Sequence, residues 1–411
     1  MSDLEPNPGG RARLFIVGTV AIDALGIGIL APIMPKLIEQ LTGEGLARAA
    51  IYGGWLTALF AGVQFFASPI LGNLSDRFGR RPVLLPSLFV FGVSYVLMGF
   101  APSIGWLFVA QALAGVFGAT FSTAGAYIAD TTPPLERAKA FGLIGASFGA
   151  GLIFGPLLGG FLSAYGLRTP FFAAAALALV NVAYGLLVLP ESLPPAQRRT
   201  FVWRRANPLG ALLHMRNYQM VYGLLGAMLL MQFIGTSLPA TWPYFTMHRL
   251  GWTPRDVSLS LALYGVLNIV IQGGLIGQFH KRLGTTGTVY LALVFTIIGY
   301  AGYAFADRSW ILVAFIVPTS IGFMAGPGLA GLMSSQVPSN SQGELQGATA
   351  SLQSLAAVIG PLAMTRLFSI FAGTQAPIYF PGAPYLASTL LAGGSLMLVL
   401  RATRRHRAAA V

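Results

Sequence analysis

Between Pro82 and Ala101, and again between Phe171 and Leu189, the chain carries no charged residue. Each run is close to the roughly 20 apolar residues that a bilayer-crossing helix needs, so a chain that repeats such runs belongs in a membrane. Composition agrees: of 411 residues, 55% are hydrophobic and 9% charged, against about 25% charged in a soluble domain. These features predict an all-α polytopic membrane protein.

Apolar windows of about 19 residues, separated by polar or Gly/Pro-marked breaks, predict twelve transmembrane helices at 14–34, 52–73, 82–101, 105–128, 139–162, 169–189, 219–241, 257–279, 287–305, 309–331, 345–370 and 383–401. An even number places both termini on one side. The apolar run after the polar segment 1–13 exceeds a signal-peptide core and lacks a small-residue cleavage site, so it is read as a retained first helix. With cytoplasmic termini, 18 of the 25 Lys and Arg residues fall on the cytoplasmic side and 7 on the other. The positive-inside rule therefore predicts a multi-pass protein with both termini cytoplasmic.

Several chemistries are excluded. Without cysteine there is no disulfide framework, thiolate metal site or cysteine nucleophile. None of the three lysines, Lys36, Lys139 and Lys281, follows a glycine, so no Walker phosphate loop is present. His214, His248, His280 and His406 are placed in loops or tails, which leaves an intramembrane hydrolase without a base. The expectation is no enzyme, no cofactor and no metal. The net charge of +13 is read as topological, not as a nucleic-acid-binding surface.

The chain repeats itself at an offset of 205 residues. Gly72-x-x-x-Asp76-Arg77-Phe78-Gly79 maps onto Gly277-x-x-x-Lys281-Arg282-Leu283-Gly284, Gly155-Pro156 onto Gly360-Pro361, and Gly142 onto Gly347. The repeat predicts two pseudo-symmetric six-helix bundles, 1–189 and 219–411, joined by a cytoplasmic linker at 190–218. In that architecture a substrate site forms between the halves near the midplane.

These motifs resemble those of the major facilitator superfamily, and within it the twelve-span drug/proton antiporters close to the tetracycline-resistance exporters. The resemblance covers nearly the whole chain. Gly72-Asn-Leu-Ser-Asp76-Arg77-Phe-Gly79-Arg80-Arg81-Pro82 resembles the superfamily's loop 2–3 signature, and Gly151-Leu-Ile-Phe-Gly155-Pro156-Leu-Leu-Gly159-Gly160 the antiporter signature. Asp23-Ala-Leu-Gly-Ile-Gly, Gly125-Ala-Tyr-Ile-Ala-Asp130 and Gln342-Gly-Glu-Leu-Gln-Gly347 are similar to segments of the tetracycline-exporter group. The resemblance implies the major facilitator fold and a cytoplasmic gate made by Asp76, Arg77, Arg80, Arg81 and Asp130, with Arg80 paired to Asp130.

Each motif also has a physical reading. Arginines and carboxylates in a short loop can latch neighbouring helices through bidentate pairs. Gly151, Gly155 and Gly159 form a small-residue face that lets helices approach closely in lipid, and Pro156 kinks or weakens the same helix. Asp23 lies ten residues beyond Arg13, roughly 15 Å into a hydrocarbon core about 30 Å thick. It is the one acid at that depth, and an isolated carboxylate there is costly unless paired, hydrated or protonated. Asp23 is therefore the candidate proton carrier.

Substrate-binding candidates are the neutral amides and aromatics Gln64, Gln111, Tyr127, Gln232, Trp242, Tyr264, Asn268, Gln272 and Gln353, which offer hydrogen bonds and apolar area without a charge penalty. Four positions depart from the tetracycline exporters: Ser94, Gln111, Asn268 and Thr296 stand where those carry titratable or charged groups. The expected function is a monomeric secondary transporter exporting a small amphiphilic compound against protons across the lipid bilayer. The alternative is a solute or siderophore carrier, an importer included, with altered or no proton coupling.

Overall fold

The computed structural model describes residues 8–118, 120–133, 136–198, 219–338 and 341–409. Among these residues the structure is helical, with no strand. The elements are α1 (Pro8–Leu30), α2 (Met34–Thr42), α3 (Leu46–Phe78), α4 (Arg81–Phe100), α5 (Ile104–Phe117), α6 (Thr120–Thr131), α7 (Arg137–Leu162), α8 (Thr169–Val188), α9 (Gln219–Leu250), α10 (Pro254–Val270), α11 (Ile276–Phe305), α12 (Ser309–Gly322), α13 (Ala325–Ser334), α14 (Gln342–Ala372) and α15 (Ala383–Ala409). Prolines in the first turns of α2, α4 and α8 suit positions where the missing N–H has no helical partner.

Nine helical stretches among the described residues are long and apolar enough to cross a membrane, or ten if α1 and α2, bent by 49°, form one span. The remaining difference from the twelve predicted spans lies at two places. The stretch Pro254–Phe305 contains predicted spans 8 and 9 and turns at Gly284, where φ 68° and ψ 172° are non-helical. Predicted span 4 is divided between α5 and α6. A five-residue π turn, Ile271–Leu275, separates α10 from α11.

Three of the four histidines lie in helices rather than loops or tails. His248 occupies the last turn of α9, and His280 sits in α11 with Nδ1 2.9 Å from the Ile276 carbonyl. These helices continue past the apolar windows read from the sequence. His406 lies in α15, and His214 falls outside the described residues, as does 199–218 of the expected linker.

The chain forms two compact units. The first comprises Met1–Gly43, Leu59–Arg205 and Pro254–Ala262. In it α1 packs along α7 and against α8, while α4 packs against α8 and α5. Its core includes Phe15, Ile16, Leu84, Leu88, Tyr127 and Ile128. A buried polar pair, Asn181 Nδ2 donating to Thr19 Oγ1 at 3.0 Å, joins α8 to α1. The α1–α7 contact is made backbone to backbone. A Cβ at Gly151 would stand 2.5 Å from the Ala21 carbonyl oxygen, one at Gly155 2.5 Å from that of Leu25, and one at Gly159 would collide with Ile29.

The second unit comprises Glu44–Ala58, Ala206–Thr253 and Leu263–Val411. Here α9 packs on α14 and α15, and α11 on α12 and α15, around Leu224, Leu293, Leu329, Met333 and Leu352. Gly360 of α14 lies where a Cβ would meet the Thr236 side chain of α9. Gly155 and Gly360, equivalent in the 205-residue repeat, thus do the same work in their own units: each lets its helix close on the first helix of that half. Phe66, Leu187 and Leu390 point outward, 72%, 86% and 70% exposed. Apolar surface of this kind requires a lipid surround.

Candidate functional site

The charged cluster of the first unit is built by a sharp reversal of chain. α3 ends at Phe78, Gly79 turns the backbone with φ +107°, and Arg80 comes back against the last turn of α3. Its Nη1 donates to Asp76 Oδ1 at 2.6 Å and to Ser75 Oγ at 2.7 Å, and its Nε donates to Asp130 Oδ2, at the end of α6, at 2.9 Å. Arg80 is 8% exposed, so a nearly buried guanidinium holds two carboxylates through charge-assisted bonds. The pairing is a bridge with one bond to each carboxylate rather than a bidentate clasp. Ser192 Oγ donates to the same Asp130 oxygen at 3.3 Å.

The neighbouring arginines do other things. Arg81 Nη2 donates to the Leu186 carbonyl of α8 at 2.7 Å, satisfying one of the acceptors that a helix C-terminus leaves open. Arg77 is exposed, its guanidinium 5.1 Å from the Phe78 ring centre.

Glu191 completes the cluster and did not emerge from the sequence. Its Oε1 accepts the backbone N–H of Arg80 at 2.8 Å and of Leu193 at 3.0 Å, and its Oε2 accepts that of Arg81 at 3.2 Å. A carboxylate here caps the first turn of α4, where N–H groups have no helical partner and negative charge is favoured. A Cβ on Gly79 would strike the Glu191 carboxylate, which explains glycine there beyond its backbone angle. The signal available in the sequence was an acid immediately after a span, in Leu189-Pro190-Glu191-Ser192. Together the cluster ties the ends of α3, α4, α6 and the segment after α8.

Asp23 lies half-buried on α1. Tyr95 of α4 meets the same helix three residues on, its hydroxyl seated over Gly26. Several expected substrate residues instead hold the scaffold. Tyr127 is fully buried and donates to the Pro190 carbonyl at 3.0 Å. Gln64 Nε2 donates to the Gly118 carbonyl, where span 4 is broken, at 2.8 Å. Gln111 is half-buried on α5.

In the second unit, Trp242 is 2% exposed and packs edge-on against Tyr303 at 4.9 Å and Tyr385 at 6.3 Å. It is a core residue. Gln232 and Tyr264 are half-buried, and Gln353 and Gln272 exposed, the latter in the π turn; such turns recur at functional sites.

Three of the four neutral departures turn their polar atoms onto their own helices. Ser94 Oγ donates to the Phe91 carbonyl at 2.6 Å, Asn268 Nδ2 to Tyr264 at 2.8 Å and Thr296 Oγ1 to Ala292 at 2.9 Å. Bonds of this local type satisfy the two hydroxyls without a partner helix, whereas Asn268 Oδ1 is buried without a hydrogen-bond partner among the described residues.

A sequence model of the Major Facilitator Superfamily matches residues 16–361. The chain is 38% identical over 364 residues to the class C tetracycline resistance protein of Escherichia coli, covering 89% of this chain and 91% of that one. It is 29% identical over 380 residues to Multidrug resistance protein 2 of Bacillus subtilis (strain 168), covering 90% and 91%. Solved structures with the same fold include the nucleoside transporter NupG, with TM-score 0.74, 14% identity and coverage of 96% and 98%, and the xylose transporter XylE from E. coli, with TM-score 0.70, 14% identity and coverage of 96% and 99%. Proteins of this kind are not enzymes. The chain is a multi-pass membrane transporter that belongs to the Major Facilitator Superfamily and, within it, is related to the tetracycline-resistance exporters.

Proposed function

We propose that the protein is a secondary active transporter of the bacterial inner membrane, working by alternating access and exporting small amphiphilic, drug-like compounds in exchange for protons. The observation that carries the reading is its 38% identity across 89% of its length to a tetracycline resistance protein. On this reading the chain is a monomer of two six-helix bundles, 1–189 and 219–411, with both termini cytoplasmic. The Asp76–Arg80–Asp130 bridge acts as the cytoplasmic gate, and Asp23 carries the proton.

Tetracycline itself is disfavoured as substrate. Ser94, Asn268 and Thr296 have no titratable group, and the two hydroxyls and Asn268 Nδ2 donate to their own backbone. Coupling then falls on Asp23. The same neutral positions favour a second reading, a solute or siderophore carrier with altered coupling. The test is proton movement in proteoliposomes when candidate amphiphiles are added, with Asp23→Asn run in parallel. Proton flux that needs both compound and Asp23 supports the exporter; compound movement without proton flux supports the second reading.

A further inference from the structure

We propose that the cleft between the first turns of α3 and the last turns of α14 is a binding site for one anionic phospholipid of the surrounding bilayer, its phosphate held by Arg366 and its chains lying against Ile51, Trp55 and Leu362. The proposal rests on the chain being embedded in a membrane, not on the direction or coupling of transport. Both walls of the cleft belong to the second unit.

The cleft opens where two helices cross closely. A Cβ on Gly54 of α3 would strike the Thr365 side chain of α14 and stand 3.2 Å from the Pro361 carbonyl oxygen. Around that crossing Ile51 and Trp55 of α3 form one wall, and Leu362 and Arg366 of α14 the other, with Thr365 between the two helices. Each pair is spaced four residues apart and so shares one helix face. The cleft measures about 280 Å³, just below the roughly 300–1,000 Å³ of a drug-sized pocket. That space suits a headgroup with the first part of its chains.

Charge decides the occupant. Thr365 Oγ1 donates to the Pro361 carbonyl of its own helix at 2.7 Å, so the polar groups left to the cleft are the Arg366 guanidinium and the Trp55 indole N–H. Among the described residues Arg366 has no ion-pair or hydrogen-bond partner, and no acid lines the cleft. A guanidinium matches a phosphate through its planar fork. With one positive charge and no acid, the site favours a lipid of net negative charge over a zwitterionic one, whose own cation would face Arg366.

Depth agrees with this occupant. The charged residues of α14 are Glu344 and Arg366, with none at 345–365 between them. At 1.5 Å per residue they stand about 33 Å apart, close to the roughly 30 Å of a hydrocarbon core. With Glu344 at one boundary, Arg366 reaches the other, at the level of headgroup phosphates. Trp55 is 54% exposed, and tryptophan is enriched at that level.

The experiment reconstitutes the full chain in nanodiscs and follows quenching of tryptophan emission by lipids with brominated chains, the Trp55 share being what Trp55→Phe removes. Exchange between phosphatidylglycerol and phosphatidylcholine gives the relative affinity at Trp55. The unmodified chain is expected to prefer phosphatidylglycerol by about fivefold, the effect of one basic residue at a lipid surface, and Arg366→Gln to lower that ratio to about one. Arg48→Gln, at an arginine paired to Glu44 with its side chain 68% exposed, leaves the ratio in place. A ratio near one in the unmodified chain, or a preference that survives Arg366→Gln, overturns the proposal. So does displacement of the brominated lipid from Trp55 by a transported amphiphile, which would give the cleft to the substrate. Loss of the proton-coupling reading leaves the lipid site standing, because the quenching ratio is measured without transport.

Discussion

Arg80 holds two carboxylates from two helices with two different nitrogens, so its replacement has an asymmetric cost. Arg80→Ala leaves Asp76 and Asp130 without their cation, and the loss is expected to be about 1–3 kcal/mol because both acids keep some contact with solvent. Arg80→Lys recovers only part of it, since an ammonium is a point charge without the planar fork that spans both acids. Thermal unfolding of the purified variants orders them as wild type, Lys, Ala. If the bridge is also the gate, Arg80→Ala raises labelling of single cysteines, introduced on this cysteine-free chain, from the cytoplasmic side. Glu191→Gln places an amide where two oxygens accept three backbone N–H groups. It should lower the unfolding temperature by the loss of about 1–3 kcal/mol, and equal stability would show that the cap is dispensable. Arg80 was legible in the sequence because an arginine at fixed spacing from an acid is an anomaly on its own. Glu191 was not, because its role is to meet the backbone of residues more than a hundred positions earlier.

At the scale of elements, the α1–α7 contact makes a testable contrast. Gly155→Val has to push a side chain into the backbone of α1, which stands 2.5 Å from a Cβ at Leu25 O and 2.8 Å at Gly28 Cα; large penalties come from overpacking where backbone cannot yield. Gly142→Ala, on the same helix, meets nothing within 4 Å and should be neutral or stabilising by up to about 1 kcal/mol through helix propensity. Folded yield after detergent extraction reads both, and equal yields would show that the close approach is not needed. The small-residue stripe was legible; which helix it faces was not, because a stripe states only that something comes close. Span 4 was misjudged in form for a related reason, whereas the turn at Gly284 falls in the break expected between spans 8 and 9. Hydropathy averages over a window, so a break at Gly118 disappears within it.

For the molecule as a whole, the decisive expectation is that compound-dependent proton flux in proteoliposomes is abolished by Asp23→Asn with expression unchanged. Flux that survives the substitution would move the coupling site elsewhere. Residue order alone determined that this chain is helical and membrane-embedded, that it repeats at 205 residues and where its anomalous charges sit. Those properties follow from the apolar length a bilayer imposes and from the cost of charge within it, and both are local. Tertiary structure decided what each polar group does. Tyr127 became a tether to Pro190, Trp242 a core aromatic and Gln64 a clasp at Gly118. Sequence could name those residues as polar or aromatic but not choose among their roles, because a hydrogen bond is won by whichever helix arrives within about 3 Å, and that is fixed only when the helices pack.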